Sequence, residues 1–181
     1  MFTGDKGKLA FLIGLPRSGK SLVASQWREG QSQFCSVRRH EDEYANARVV
    51  VEADKIRMAM GHRWNSYVEG HVGAVKNTMV RALLYEHDVL VDGTHSKHEH
   101  IQQLFEIDNS AEFYFIDTPP GLCKQRAIET GRPDLVGVID RVAKQLMDLV
   151  GVEHWDDMTA ESVAVAVNPI RLLALEQAIT D

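Results

Sequence analysis

The stretch Gly14-Leu15-Pro16-Arg17-Ser18-Gly19-Lys20-Ser21 has the spacing G-x-x-x-x-G-K-[ST], and its residue types suit the capture of a polyphosphate. Glycines at its two ends let the main chain turn tightly and approach an anion with no Cβ in the way. Lys20 carries a mobile point charge for β- and γ-phosphates, and the Ser21 hydroxyl is placed to ligate Mg²⁺. The flanks supply what such a loop needs. Leu9–Ile13 is an apolar, strand-like run, and Leu22–Arg28 reads as the opening turns of a helix. A helix N-terminus directly after the loop presents unpaired backbone N–H groups to the same anion. A chance glycine turn would account for neither flank. The loop residues together with Leu22 form the candidate ATP-binding set, which implies a nucleoside triphosphate and Mg²⁺ as ligands.

Three further groupings bear on what is done with the triphosphate. Asp54-x-x-Arg57 follows an apolar strand segment. A hydroxyl is a poor nucleophile until a base takes its proton, and a carboxylate at a strand end beside the γ-phosphate can do so. Arg57, one helical turn on, would share that face and hold a phosphate of the acceptor by a two-pronged contact. An N-cap Asp beside an exposed Arg fits the same spacing. Val89-Leu90-Val91-Asp92 is an apolar strand ending in an acid, the pattern that carries a second contact to Mg²⁺; Asp92-Gly93 also reads as a plain turn. Arg126 and Arg132 lie in a basic segment broken at Gly131-Arg132-Pro133, as in a mobile lid whose arginines meet the charge of a transferring phosphoryl group. Arg141 and Lys144, further along, read as solvated.

These residues need a scaffold. Strand-like runs at Leu9–Ile13, Arg48–Ala53, Val89–Val91, Phe113–Ile116 and Val163–Val167 alternate with helical stretches. The helical stretches fall at 54–60, with Asp54 as a candidate N-cap, and at 68–86, where Val68, Val72, Val75, Met79 and Leu83 form an apolar stripe. Others fall at 97–107, 121–130, 136–150 and 170–179, while 30–47 and 61–65 read as loops. Strands alternating with helices predict an α/β fold, a parallel sheet with helices on both faces. Ligands in such sheets sit at the strand carboxyl ends, which places the phosphate loop, Asp54, Asp92 and Thr118 along one rim.

The phosphate loop, Asp54-x-x-Arg57, Asp92-Gly93-Thr94, Asp117-Thr118-Pro119 and Arg126…Arg132-Pro133 occur in an order that resembles the phage-type 5′-hydroxyl polynucleotide kinase domain and its small P-loop kinase relatives. The resemblance runs across almost the whole chain. It implies a three-layer P-loop kinase fold with a five-stranded sheet in the order 2-3-1-4-5 and a helical lid over about 121–150. It also implies Lys20 and Ser21 on the triphosphate and Mg²⁺, Asp54 as general base, Arg57 on an acceptor phosphate, and one lid arginine in the transition state. Arg126 and Arg132 remain alternatives for that role. The chain departs from the pattern in having Gly93-Thr94-His95 after Asp92 and Ala127 after Arg126.

The expected activity is therefore transfer of the γ-phosphate of ATP to a hydroxyl, foremost a nucleic-acid hydroxyl such as a single-stranded or exposed 5′ end. The alternatives are a small-molecule kinase for a nucleoside, sugar or antibiotic, and, from another class, a nucleotide-gated binding module. A nucleic-acid acceptor would find Arg57 and Arg63, with Trp64 either stacking on it or buried in the core. The guanine-reading motif [NT]-K-x-D is absent, which argues against a GTPase.

Bulk properties narrow the field further. A length of 181 residues suits one domain spanning 1–181, and 44% hydrophobic with 25% charged residues is ordinary for a globular chain. The net charge of -6 is wrong for coating duplex nucleic acid, though not for a local basic channel. No apolar run reaches the ~20 residues of a membrane span, and Met1–Lys6 leads directly into a strand, so a cytoplasmic protein without membrane contact is expected. Cys35 and Cys123 form neither a disulfide framework nor a zinc pattern, and both read as reduced thiols. His95, His98 and His100 do not share one helical face and read as exposed rather than as metal ligands.

Overall fold

A computed structural model describes residues 7–30, 48–61 and 66–167. Of the expected loop over 30–47, residues 31–47 lie outside the described residues, as do Cys35, Arg63, Trp64 and the expected helix over 170–179.

Strand β1 (Leu9–Gly14) is apolar throughout, so it has no face to give to solvent, and all of it is buried. Successive side chains take opposite faces. Ala10 and Leu12 pack with Ala24 and Trp27 of helix α1 (Lys20–Arg28), while Phe11 meets Phe105 edge-on at 5.5 Å and Phe113 at 6.1 Å. Phe105 belongs to helix α4 (His98–Ile107) and Phe113 to strand β4 (Glu112–Ile116). Full burial of each Leu, Ile or Phe here contributes about 1.5–3 kcal/mol.

Strand β2 (Arg48–Glu52) pairs in parallel with β3 (Asp88–Asp92), and β3 with β1; Phe11 stands opposite Val91, and Glu52 opposite Asp92. The sheet has four strands in the order β2-β3-β1-β4. That order agrees with the first four places of the expected 2-3-1-4-5, but the expected fifth strand is absent among the described residues. Val163–Val167 is instead the end of helix α7 (Ala160–Val167). Its valines and alanines alternate as in a strand, yet Val163 and Val167 are buried while Val165 is 47% exposed, a four-residue rather than a two-residue repeat. The helix is set by its start. The Thr159 hydroxyl accepts from the Ser162 N–H at 3.0 Å, and the Thr159 N–H donates to Ser162 Oγ at 2.9 Å, a reciprocal cap.

The chain forms two compact units. The first comprises the described parts of 1–12, 19–93 and 103–114 and holds β2, β3 and most of β1 and β4. It also holds α1, helix α2 (Ala53–Ala59), helix α3 (Ser66–Leu83) and the end of α4. Asp54 is not an N-cap: the helix begins at Ala53, with Glu52 in the cap position and Asp54 within the first turn. The buried stripe of α3 also differs from expectation. It runs Val68, Val72, Lys76, Val80 and on to Leu84, whereas Val75 is 39% and Met79 41% exposed. A stripe through Val75 and Met79 follows only if lysine is barred from the interior; here the aliphatic stem of Lys76 fills the gap. Burial lowers the pKa of its ammonium. Glycine is obligatory at Gly7, where a Cβ would lie 1.8 Å from the His87 carbonyl oxygen. Beside it the Lys8 N–H donates to the buried Asp88 carboxylate at 2.8 Å, so the entry to β1 is fixed against β3.

The second unit comprises 13–18, 94–102 and the described chain from 115 onward. Helices α5 (Pro120–Glu129) and α6 (Val136–Val150) are separated by a 3₁₀ turn at Pro133–Leu135. Cys123 and Ala127 of α5 and Ile139, Val142, Ala143 and Leu146 of α6 are buried, and Lys124 Nζ meets Asp140 Oδ1 at 2.9 Å. Trp155 is buried, donates from Nε1 to Asp117 at 3.2 Å and lies 5.9 Å from the Phe115 ring.

Candidate active site

The turn between β1 and α1 has the backbone a phosphate cradle requires. Arg17 has φ 66 and Gly19 φ 106, so two of its residues sit in left-handed conformations. The Ser18 N–H closes a turn onto the Leu15 carbonyl at 3.1 Å. A Cβ on Gly14 would stand 3.1 Å from the Ile116 carbonyl and 3.2 Å from Ser18 Oγ, so glycine there serves close approach. Thr118 Oγ1 donates to the Ser18 carbonyl at 2.8 Å, and Arg126 Nη1 donates to the carbonyls of Arg17 and Ser18 at 3.2 and 3.4 Å. Carbonyl oxygens tied up in this way do not face an incoming anion. Gly19 occupies the N-cap of α1 and brings no side-chain hydrogen bond, while its carbonyl accepts from the Leu22 and Val23 N–H groups at 3.0 and 3.1 Å.

Within the first unit, Lys20 and Ser21 open α1. Lys20 is only 8% exposed, and Ser21 Oγ donates to Asp92 Oδ2 at 2.9 Å. The strand-end acid and the loop hydroxyl, 71 positions apart, therefore meet. The pKa of Asp92 is raised, chiefly by burial, with the charges of Glu52 and Asp54 adding to the effect; the Ser21 hydrogen bond and the Lys20 charge act in the opposite direction. Hydroxyl and carboxylate oxygens in an acid-rich corner fit Mg²⁺, which binds through one or two carboxylates and keeps its other positions for water and phosphate oxygens. Among the described residues no group of three or more His, Cys, Asp and Glu side chains forms a closed metal cage.

Asp54 and Arg57 do come together. The Asp54 side chain is 86% exposed and is paired with Arg57 Nη1. Arg57, 13% exposed, also makes a two-pronged contact to Glu69 of α3, Nε to Oε1 at 2.6 Å and Nη2 to Oε2 at 2.8 Å. These bonds raise the Arg57 pKa against the opposing effect of burial. Glu69 has no motif signature and was not singled out in the sequence; only its place in the first turn of a helix after the Asp-x-x-Arg segment could have pointed to it.

Of the two arginines expected in a lid, Arg126 reaches the carbonyls of Arg17 and Ser18, whereas Arg132 is bound through Nε and Nη2 to Asp134 at 2.9 and 2.8 Å. That exposed pairing holds the Asp134 carboxyl below its usual range. Arg141 and Lys144 are exposed. Leu22 is 64% exposed at the start of α1. Against expectation His95 is buried, with φ 44, because it sits in the turn that follows β3 rather than on a helix; His98 and His100 are exposed.

Over 68% of its length the chain superposes on the Mycobacterium tuberculosis APS kinase CysC in complex with AMPPNP and APS, covering 70% of that chain at 22% identity and a TM-score of 0.52. A gluconokinase from Sinorhizobium meliloti 1021 matches over 96% of this chain and 99% of its own, at 15% identity and a TM-score of 0.55. The fold is that of the P-loop kinases. A chain of the Pnkp1/Rnl/Hen1 complex is similar at 25% identity and a TM-score of 0.52 over 68% of this chain; the match spans 40% of that protein's length. No protein-family model and no curated protein sequence matches the chain. Solved structures with this fold thus include kinases of small molecules, one of them bound to a nucleotide analogue.

Proposed function

We propose that the chain is an ATP-dependent phosphotransferase that moves the γ-phosphate onto a hydroxyl, with a nucleic-acid hydroxyl such as a 5′ end as acceptor. The observation that carries the phosphotransferase part of this reading is the bond from Ser21 Oγ to Asp92 Oδ2 beside the nearly buried Lys20, while the nucleic-acid acceptor rests on the sequence resemblance. It gathers a hydroxyl, a carboxylate and a cation at the end of a phosphate loop. Lys20 neutralises β- and γ-oxygens, and Ser21 and Asp92 hold Mg²⁺, which supplies further charge neutralisation when bound. Asp54 accepts the proton of the acceptor hydroxyl as its oxygen bonds to the γ-phosphorus and the bond to the β,γ-bridging oxygen breaks, releasing ADP. Arg57 lends positive charge to the acceptor side. Arg126 takes the lid role in preference to Arg132, because it already reaches the loop carbonyls. Arg63 and Trp64 complete the acceptor set. The reading treats 1–181 as one cytoplasmic kinase domain with its lid over about 121–150.

A second reading, a small-molecule kinase, is favoured by one observation. The Nε–Nη2 edge of Arg57, the side that would grip an acceptor phosphate two-pronged, is engaged by Glu69. The end-to-end match to a gluconokinase is compatible with it.

Labelled ATP incubated with oligonucleotide, nucleoside and sugar acceptors tests the proposal, with KM measured for a short 5′-hydroxyl oligonucleotide and a matching nucleoside across a salt series. The nucleic-acid reading expects preference for the oligonucleotide and a KM that rises with salt on a shallow slope. Equal efficiency on both with no salt response selects the small-molecule kinase. ATP-dependent partner binding without any phosphorylated product would mark a binding module.

A further inference from the structure

We infer that Glu69 is a positioning residue, which sets the plane of Arg57 and through it the orientation of the Asp54 carboxylate. The inference rests on the reading of Asp54 as the base.

Asp54 lies in the first turn of a seven-residue helix with its side chain 86% exposed. A carboxylate so exposed has its rotamers open to it, and a general base needs one of them. The restraint visible in the structure is Arg57 Nη1. A lone Asp–Arg pair three residues apart on a helix surface is a weak restraint. Arg57, however, is itself held. Its Nε and Nη2 both bond Glu69, and its side chain is 13% exposed. Because the guanidinium is planar and rigid, fixing the Nε–Nη2 edge fixes the direction in which Nη1 points. Glu69 comes from α3 and Arg57 from α2, so the fork also ties together the two helices that carry the three side chains. Two carboxylates and one guanidinium leave the cluster net negative, so Asp54 is oriented without its charge being cancelled outright.

The test uses the full chain labelled with ¹⁵N. In the unmodified protein the Arg57 Nε–H is expected to exchange slowly with solvent, and in Glu69→Gln to exchange about tenfold faster or more, the fork having lost its charged acceptor. Turnover on the acceptor identified by the panel above should fall roughly 10- to 100-fold in Glu69→Gln, with KM for ATP unchanged. Combined with Arg57→Ala, Glu69→Gln should add no further loss, since both act through one group. A freely exchanging Nε–H in the unmodified protein overturns the inference, and this needs no variant to fold. So does a Glu69→Gln turnover within about twofold of the original, or losses that multiply in the double variant. Asp54→Asn separates the inference from its parent. If that variant keeps its turnover, base and positioning residue fall together; if it loses turnover and Glu69→Gln does not, the positioning role alone falls.

Discussion

Lys20 sits where α1 leaves the phosphate loop, nearly buried, and its charge acts on Asp92. Lys20→Ala removes the charge proposed to act on the β- and γ-phosphates while leaving a good helix former at the first position of α1. The expected outcome is an unchanged circular dichroism spectrum with phosphoryl transfer abolished; a folded variant with near-normal turnover would refute the loop assignment. The lid arginines give a paired test. Arg126→Ala should lower turnover by about 10²- to 10³-fold, the range seen when one preorganised charge donor is lost. Arg132→Ala should stay within about threefold, since it breaks only an exposed pair with Asp134. Comparable losses would mean that the lid rearranges to bring Arg132 in. At this scale the sequence was most legible where a residue type has one use. The loop, Asp92 and the Asp54–Arg57 pair were singled out as candidates from spacing alone, and the structure brings Ser21 to Asp92 and Asp54 to Arg57. Glu69 was not, because a glutamate in a first helical turn is commonplace; nor was the Thr118 bond to the Ser18 carbonyl, which depends on two segments 100 positions apart.

Helix α7 shows how a short cap can override a strand-like pattern. Thr159→Ala removes the hydroxyl that accepts from the Ser162 N–H and should cost about 0.5–2 kcal/mol, read as a lowered urea midpoint at unchanged m-value. A midpoint that does not move would show that the valines hold the helix without the cap. Helix α3 supplies a pH-dependent case. The Lys76 pKa is lowered by burial from 10.5, so well below its folded-state value the lysine is charged in both states and folding must dehydrate the charge. As pH rises from the folded-state pKa toward 10.5, the folded form sheds its proton first, the unfolded chain binds more protons, and stability increases. Lys76→Met should raise stability by about 0.5–2 kcal/mol at neutral pH and flatten that rise, as followed by thermal melts across the alkaline range. A melting temperature lowered by the substitution would mean that the ammonium is stabilised in the fold. Both elements were misread for physical reasons. Alternating Val and Ala satisfies strand and helix patterns equally well over five residues, and a lysine in a buried stripe hides its phase.

For the whole molecule, α/β alternation was readable because each strand is an apolar run bounded by turn residues, whereas the order of the first four strands followed only from the resemblance to P-loop kinases. The helical state of Val163–Val167 was not readable, since its valines and alanines alternate as in a strand. No helix among the described residues is long and apolar enough to cross a membrane. Gly7→Ala is the sharpest test of how β1 is seated. With His87 backbone 1.8 Å from the added Cβ, the chain entering β1 must shift, and a loss of roughly 1–3 kcal/mol is expected, as for overpacking, with a drop in melting temperature to match. An unchanged melting temperature would mean that this entry segment is not held as described. One feature of the fold also has a practical use. Trp27 is buried in the first unit, its ring 5.6 Å from the Arg48 guanidinium, and Trp155 is buried in the second, bonded to Asp117. Each unit thus contains an indole in a distinct electrostatic setting, one under a cation and one beside a carboxylate. With the other tryptophans replaced by phenylalanine, the emission maximum of the one retained becomes an optical gauge of its own unit, and the two halves of the fold can be followed by fluorescence without any attached dye.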